Sequence, residues 1–353
     1  MTVDQIQAYL VPGRRAHLVG IGGVSMSPLA EVLKGMGIAV TGSDQAEGAA
    51  VEHLRALGIP VSIGHRAENV QGADLLVRTA AVHDENPEIA AAHAQGIPVF
   101  ERAQAWGCLM RGYQNALCIA GTHGKTTTTS MCTHILMAAQ RDPTVMIGGT
   151  LPLLEAGHRV GRGDTIVAEA CEYCNSFLSF SPTVAVILNV EEDHLDFFKD
   201  LEDIKRSFRR FAELAPAGGR VIVNADNDGA RSVASGLDAF TFGLGAGAQC
   251  RAVNLRQEEG YPVFDIDVHG ERYAHVRLRV HGRHNISNAL AAAAAAYVLK
   301  VPSGAVEEGL GAFTGAGRRF EKKGTYHGAD IYDDYAHHPD ELRALLTMAG
   351  ELG

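Results

Sequence analysis

Residues 118–131 read CIAGTHGKTTTTSM. An apolar run, ALCIAG, enters a glycine turn; a lysine and four threonines follow, and helical spacing of apolar residues begins. A strand that turns on glycine into a helix leaves backbone N–H groups and a positive dipole end where an anion can sit. The common phosphate loop keeps four residues between its first glycine and the Gly-Lys pair. Here only Thr122 and His123 separate Gly121 from Gly124-Lys125. The loop alone is a weak signal, because a short glycine turn before a helix is usually just a turn.

Two further apolar runs strengthen it. DTIVAEA (164–170) ends on Glu169, with Glu172 close behind, and TVAVILNV (183–190) runs into EEDH, which delivers Asp193 and His194. Ligands of parallel sheets collect outside the carboxyl ends of the strands. The amides of Gly121, Thr122, His123, Gly124 and Lys125 then face anionic oxygens, and Lys125 adds a point charge. The Thr126 hydroxyl, a carboxylate such as Glu169 and an imidazole such as His194 suit Mg²⁺ beside phosphate oxygens. The chemistry is that of a magnesium–ATP site.

Outward from this unit the rhythm is that of an α/β protein. AHLVG, the glycine turn GIGGVSMS, the helical SPLAEVLKGMG and IAVTGSD make a strand–turn–helix–strand unit ending at Asp44. Gly20-Ile-Gly22-Gly23-Val-Ser25 imitates a dinucleotide fingerprint, but Ser25 replaces the third glycine and weakens an NAD reading. Helix–strand alternation continues through PVFER, and the pattern breaks at Gly112. TTTTSMCTHILMAAQ is expected to form a helix with one apolar stripe. Short β-like pieces (YPVFDIDV, YAHVRLRV) precede a long helix in HGRHNISNALAAAAAAYVL, and near Gly315 a third unit opens with ADIYDDYAHHP and DELRALLTMAG. The expected architecture is a Rossmann-like parallel sheet over 1–112, then a central P-loop-type, mostly parallel sheet with added strands over 113–315. The start of a third Rossmann-like domain follows over 316–353.

The 353 residues carry a formal net charge of −10, which argues against a general nucleic-acid binder. No apolar stretch marks the first residues for secretion, and ALAAAAAAYVLK (289–300) is too short to span a bilayer. Six cysteines make no disulfide framework. A cytoplasmic protein is expected.

The quoted stretches together resemble the Mur ligases of peptidoglycan synthesis. The resemblance rests on GIGGVSMSPLAEVL with GSD, AGTHGKTTTT with AEACEYCNSFL, NVEEDHLDFF, GRHNISNALAA, GRRFEKKG and DDYAHHP, in the family's order. It implies ATP-dependent joining of L-alanine to UDP-N-acetylmuramate through an acyl phosphate. By the same resemblance Gly121 to Thr127 hold the ATP phosphates, with Lys125 on the β/γ-phosphates. Thr126 and Glu169 resemble ligands of one Mg²⁺, and His194 a ligand of a second. His123 lies near the muramate; Asn285 meets adenine, Arg319 a phosphate and Asp334 the ribose. Gly22 and Gly23 face the pyrophosphate of the UDP substrate, while Ser43, Asp44, Thr79 and Ala80 border the uridine. Lys125, His123, Glu169 and His194 form the catalytic set.

Some residues depart from that pattern. Cys171 and Cys174 form a CxxC without a second pair, which points to a structural or incidental role. Ser207 and Phe208 stand where some relatives carry a carbamylated lysine. His337 and His338 are candidates for a role at a strand end. The family's third domain runs past DDYAHHP, so a chain ending at Gly353 is expected not to turn over by itself. Competing readings are a tripeptide-recycling ligase acting on UDP-muramate and a non-catalytic nucleotide-sugar or NAD-binding module.

Overall fold

The computed structural model describes residues 2–79, 81–336 and 339–351. The chain gathers into two compact units: Met1–Gly112 with Ser179–Ser181, and Tyr113–Leu178 with Pro182–Gly353.

The first unit contains β1 (Arg15–Val19), β2 (Ala39–Asp44), β3 (Val61–Ile63), β4 (Leu75–Arg78) and β5 (Val99–Glu101). Its helices are α1 (Val3–Gln7), α2 (Ser27–Gly35), α3 (Ala49–Ala56), α4 (Pro87–Ala94) and α5 (Arg102–Met110). The strands lie in the order β3-β2-β1-β4-β5, all parallel. Successive strands go to one side of β1 and later ones to the other, so the order reverses between β1 and β4. Such a switch point opens a crevice at the strand ends. The glycine turn follows β1 and Thr79 follows β4, so both border that crevice.

The second unit begins with β6 (Asn115–Ala120), α6 (Lys125–Ala138), β7 (Thr144–Leu151), β8 (Ala156–Arg159), β9 (Thr165–Glu169) and β10 (Val184–Ile187). Then come α7 (Leu201–Ala212), β11 (Arg220–Asn224), α8 (Asp228–Ala234), β12 (Ala239–Gly243), β13 (Cys250–Glu258), β14 (Tyr261–Val268) and β15 (Glu271–Arg277). The helices α9 (Arg283–Val298) and α10 (Ser303–Ala312) follow. Among the described residues these strands form a ten-stranded sheet, β15-β14-β13-β12-β11-β10-β6-β9-β7-β8. Pairing is parallel from β13 through β7 and antiparallel at both edges.

The α6 helix differs from the one-stripe expectation. Thr128, Thr129, Ser130 and Thr133 are as buried as Met131 and Ile135. Hydroxyls can occupy that interior because they donate to carbonyls one turn back: Thr129 to Lys125, Ser130 to Thr126 and Thr133 to Thr129, each at 2.8 Å. The alanines of α9 are buried in the same core, where small side chains lose no rotamer freedom on packing. No helix among the described residues is long and apolar enough to cross a membrane.

After α10 come β16 (Glu321–Tyr326), β17 (Ala329–Asp333) and α11 (Pro339–Glu351). The two strands form an antiparallel hairpin turning on His327-Gly328, both with positive φ, the geometry that suits strand twist in a two-residue turn. The lysines and glycine of EKKGTY hide this strand from its sequence pattern. Residues 316–351 fall within the second unit.

Candidate active site

Strand β6 lies between β10 and β9, parallel to both. Their carboxyl ends therefore stand side by side, and each carries polar residues. Gly124 caps α6 with φ +83°, and a Cβ there would lie 2.6 Å from Asn288 Oδ1. Only glycine fits both the dihedral and the space.

The first helical bond of α6 runs from Thr128 N to Gly124 O, and no side chain caps the helix. The N–H groups of Lys125, Thr126 and Thr127 thus lack partners within the helix. The amides of Thr122 and His123 are different. Thr122 N donates to Asn189 O (3.2 Å) and His123 N to Asn189 Oδ1 (2.7 Å), while Asn189 Nδ2 donates to His123 O (3.1 Å). The amides of Thr122 and His123 are therefore taken up by Asn189 within the loop. Sequence reasoning missed Asn189, the first polar residue after TVAVIL and the clamp that shapes the loop.

Lys125 Nζ donates to Gly121 O (2.5 Å), to Thr122 O (3.2 Å) and to both carboxylate oxygens of Glu172 (3.0 Å each). The pair is interior, with side-chain exposures of 13% and 2%. Burial acts to lower the lysine's pKa, but the Glu172 charge, with Cys171 and Glu169 behind it, outweighs burial and raises it. Lys125 is a fixed cation.

Glu169 accepts from Thr126 Oγ1 at 3.0 Å and from Gly148 N at 2.8 Å. His194 instead sits 3.9 Å from Glu172 and 3.8 Å from Asp193. One donor atom from each of Glu172, Asp193 and His194 lies within 4.8 Å of the others. The sequence-selected metal residues thus fall into two groups, Thr126 with Glu169 and His194 with Glu172 and Asp193. Hydroxyl and carboxylate oxygens, with one imidazole in the second group, form donor sets for a divalent cation. Tyr173 packs against the His194 ring, centroids 4.8 Å apart, and donates to Asp196.

His123 Nε2 lies 3.4 Å from Glu191, whose other oxygen accepts from Asn227. Asn285 donates to His281 O and accepts from Asn288, which accepts in turn from Thr128, so the start of α9 is wired to the back of α6. Asp334 accepts from the amides of Phe320 and Ala336, both at 2.7 Å, and Arg319 lies over the Tyr335 ring. Gly317 N, just before them, bonds Thr150 O of β7. His337, His338 and Ala80 lie outside the described residues. Cys171 and Cys174 are exposed and free. Ser207 is buried, and its hydroxyl donates to Asn175.

In the first unit, Gly22 N donates to Asp44 Oδ2 at 2.8 Å, which ties the glycine turn to the end of β2. Thr79 packs against Gly20. Ser43 is fully buried; its hydroxyl donates to Glu88 at 2.6 Å and its carbonyl accepts from the amides of Gly20 and Ile21. Glu88 also meets His65 (3.2 Å), His17 (3.6 Å) and Asn69 (2.5 Å). Burial works to raise its pKa, but contacts from His17, Ser43 and Asn69 prevail and hold it down at about 2. Arg102 reaches the Ser25 hydroxyl of the glycine turn, and Trp106 donates to Ser25 O. Neither Glu88 nor Arg102 stood out in the sequence, because each is a charged residue in the first turn of a helix.

Fold and loop define the class: an α/β protein with a lysine-bearing anion cradle and two carboxylate-containing donor groups at adjacent strand ends. Three family models divide the chain: Mur ligase family, catalytic domain (15–114), Mur ligase middle domain (119–296), and Mur ligase, glutamate ligase domain (318–353). The chain belongs to the Mur ligase family. It is similar to the UDP-N-acetylmuramate–L-alanine ligase of Clostridium novyi, 46% identical over 338 residues, which cover 95% of this chain and 74% of that protein. The enzyme of the same name from Lachnospira eligens is 47% identical, with 94% and 74% covered. Among solved structures, the UDP-N-acetylmuramate–alanine ligase of Thermotoga maritima superposes with a TM-score of 0.80 at 33% identity, covering 96% of this chain and 78% of that one. A ligase from Neisseria meningitides for UDP-N-acetylmuramate and L-alanyl-γ-D-glutamyl-meso-diaminopimelate reaches 0.77 at 28% identity, covering 86% and 98%.

Proposed function

We infer that the chain is an ATP-dependent amide ligase of peptidoglycan precursor synthesis that joins L-alanine to UDP-N-acetylmuramate. The supporting observation is the meeting of Lys125, Thr126, Glu169, Glu172 and His194 at the ends of three adjacent parallel strands. The alanine-adding relatives are 46–47% identical and the tripeptide ligase 28%, which favours alanine as the acceptor's partner. Both nucleotide substrates belong to the cytoplasm, where we place the protein.

In this scheme the ATP phosphates lie on the loop from Gly121 to Thr127, with Lys125 on the β/γ-phosphates, Arg319 on a phosphate, Asn285 on the adenine and Asp334 on the ribose. Thr126 and Glu169 would hold one Mg²⁺, and His194, with Glu172 and Asp193, a second. Metal held there would supply positive charge beside the phosphates. The UDP moiety lies at the first unit's switch point, on Gly22, Gly23, Ser43, Asp44 and Thr79, and His123 faces the muramate. The muramate carboxylate attacks the γ-phosphorus, forming the O–P bond as ADP leaves. Phosphorylation turns a poor electrophile into an acyl phosphate with a good leaving group. The alanine amine then attacks the acyl carbon, the C–O bond breaks, and phosphate departs. Lys125 and the helix start supply fixed positive charge where the phosphoryl group passes.

The test combines calorimetric binding of Mg–ATP, UDP-N-acetylmuramate and NAD with phosphate release in the presence of L-alanine or tripeptide. Binding of the first two ligands is expected, with phosphate release, where it occurs, following L-alanine. Binding of NAD alone would replace the ligase with a nucleotide-binding module.

A further inference from the structure

The Lys125 ammonium has three hydrogens, and the protein already engages them: Gly121 O, Thr122 O and the Glu172 carboxylate. A phosphate oxygen that takes Lys125 must displace one of these. The two carbonyls belong to the loop that shapes the cradle, and the carboxylate is the anionic, phosphate-like partner. Displacing it leaves a charge with 2% exposure uncompensated, which is strongly unfavourable. The groups facing Glu172 from the neighbouring strand end are His194 at 3.9 Å and, within the same 4.8 Å cluster, Asp193. With those two it makes a three-donor set for a divalent cation.

Resting on the assignment of this loop to ATP, we propose that Glu172 is an exchange ligand. It neutralises Lys125 while the cradle is empty, and it passes to a divalent cation held with Asp193 and His194 when a triphosphate claims the lysine. Glu172 is thus a positioning residue that makes nucleotide and magnesium binding mutually dependent. The two acids of this strand end then serve different purposes, since Glu169 is bonded to Thr126 and Gly148, and Glu172 to the lysine.

The experiment measures ATP affinity by calorimetry, in excess EDTA and in excess magnesium, for wild type, Glu172→Gln and Asp193→Asn. Wild type is expected to bind ATP much more tightly with magnesium. Glu172→Gln frees Lys125, so its metal-free ATP affinity rises about tenfold while the gain from magnesium shrinks by at least as much, within the usual span of couplings between two ligands. A merely structural glutamate would not raise affinity when removed. Asp193→Asn leaves the buried pair intact, so the magnesium gain falls without any rise in metal-free affinity; this arm decides the matter if Glu172→Gln does not fold. An unchanged magnesium gain in a folded variant overturns the exchange while ATP binding stands. Wild type that binds ATP under neither condition overturns the nucleotide assignment itself.

Discussion

Replacing Lys125 by alanine is expected to cost stability as well as nucleotide binding, and the structure sets the size. The substitution removes the cation from a carboxylate with 2% side-chain exposure. Breaking a buried pair by truncating one partner costs about 3–5 kcal/mol. His194, 3.9 Å away, stays beside the carboxylate and offsets part of this, which places the cost at the low end, about 3 kcal/mol. At roughly 2–4 °C per kcal/mol for a unit of this size, the melting temperature falls by about 6–12 °C. Lys125→Ala/Glu172→Gln is expected to regain most of that loss, because no buried charge remains, yet still to bind Mg–ATP poorly. The assay is thermal unfolding of both variants beside wild type at pH 7.5. A single variant that melts with wild type, or a double variant no better than the single, would refute the reasoning.

Glu88 is held down at about 2 from an ordinary 4.5, so its contribution is complete above pH 4.5 and is lost as pH falls through 2. Glu88→Gln is expected to flatten that acid limb in a pH series of urea melts, and to lower stability at neutral pH by about 3 kcal/mol. Arg102→Ala removes the contact that holds Ser25 in the glycine turn and is expected to weaken UDP-N-acetylmuramate binding severalfold, about the worth of one hydrogen bond. Titration calorimetry should show this while ATP affinity holds, and equal losses for both ligands would contradict it. Gly124→Ala forces a left-handed residue against Asn288, at a cost of about 1–2 kcal/mol for the dihedral alone. Mg–ATP affinity should fall with it, and recovery of affinity in Gly124→Ala/Asn288→Ala would show how much of the loss was steric.

Much of the fold was legible because strand and helix periods are local. AHLVG, ALCIAG and TVAVIL announce buried parallel strands, and the glycine before Lys125 marks the turn into α6. The hairpin at 321–333 was half hidden, since an exposed strand rich in lysine and glycine has no apolar alternation to show. The stripe expected of α6 failed because threonine and serine count as polar in a pattern, whereas a hydroxyl bonded to a carbonyl one turn back is as acceptable in a core as a methyl group.

The candidate site divides in the same way. Residue types and their place at strand ends were determined by the sequence alone: a lysine on a glycine turn, acids after DTIVA, an imidazole after TVAVILNV. Which acid meets which partner was decided only in three dimensions. Glu169 and Glu172 stand three residues apart in AEACE, yet one bonds Thr126 and the other Lys125, because the backbone leaves β9 between them and re-enters a turn of helix at Tyr173. Glu88 reads as an ordinary first-turn acid of PEIAAAHA until the sheet delivers His17, Ser43 and His65 to it. Local sequence carries the period of an element and the chemistry of its side chains; the partners of a buried charge come from distant strands, and their meeting depends on how the sheet orders them.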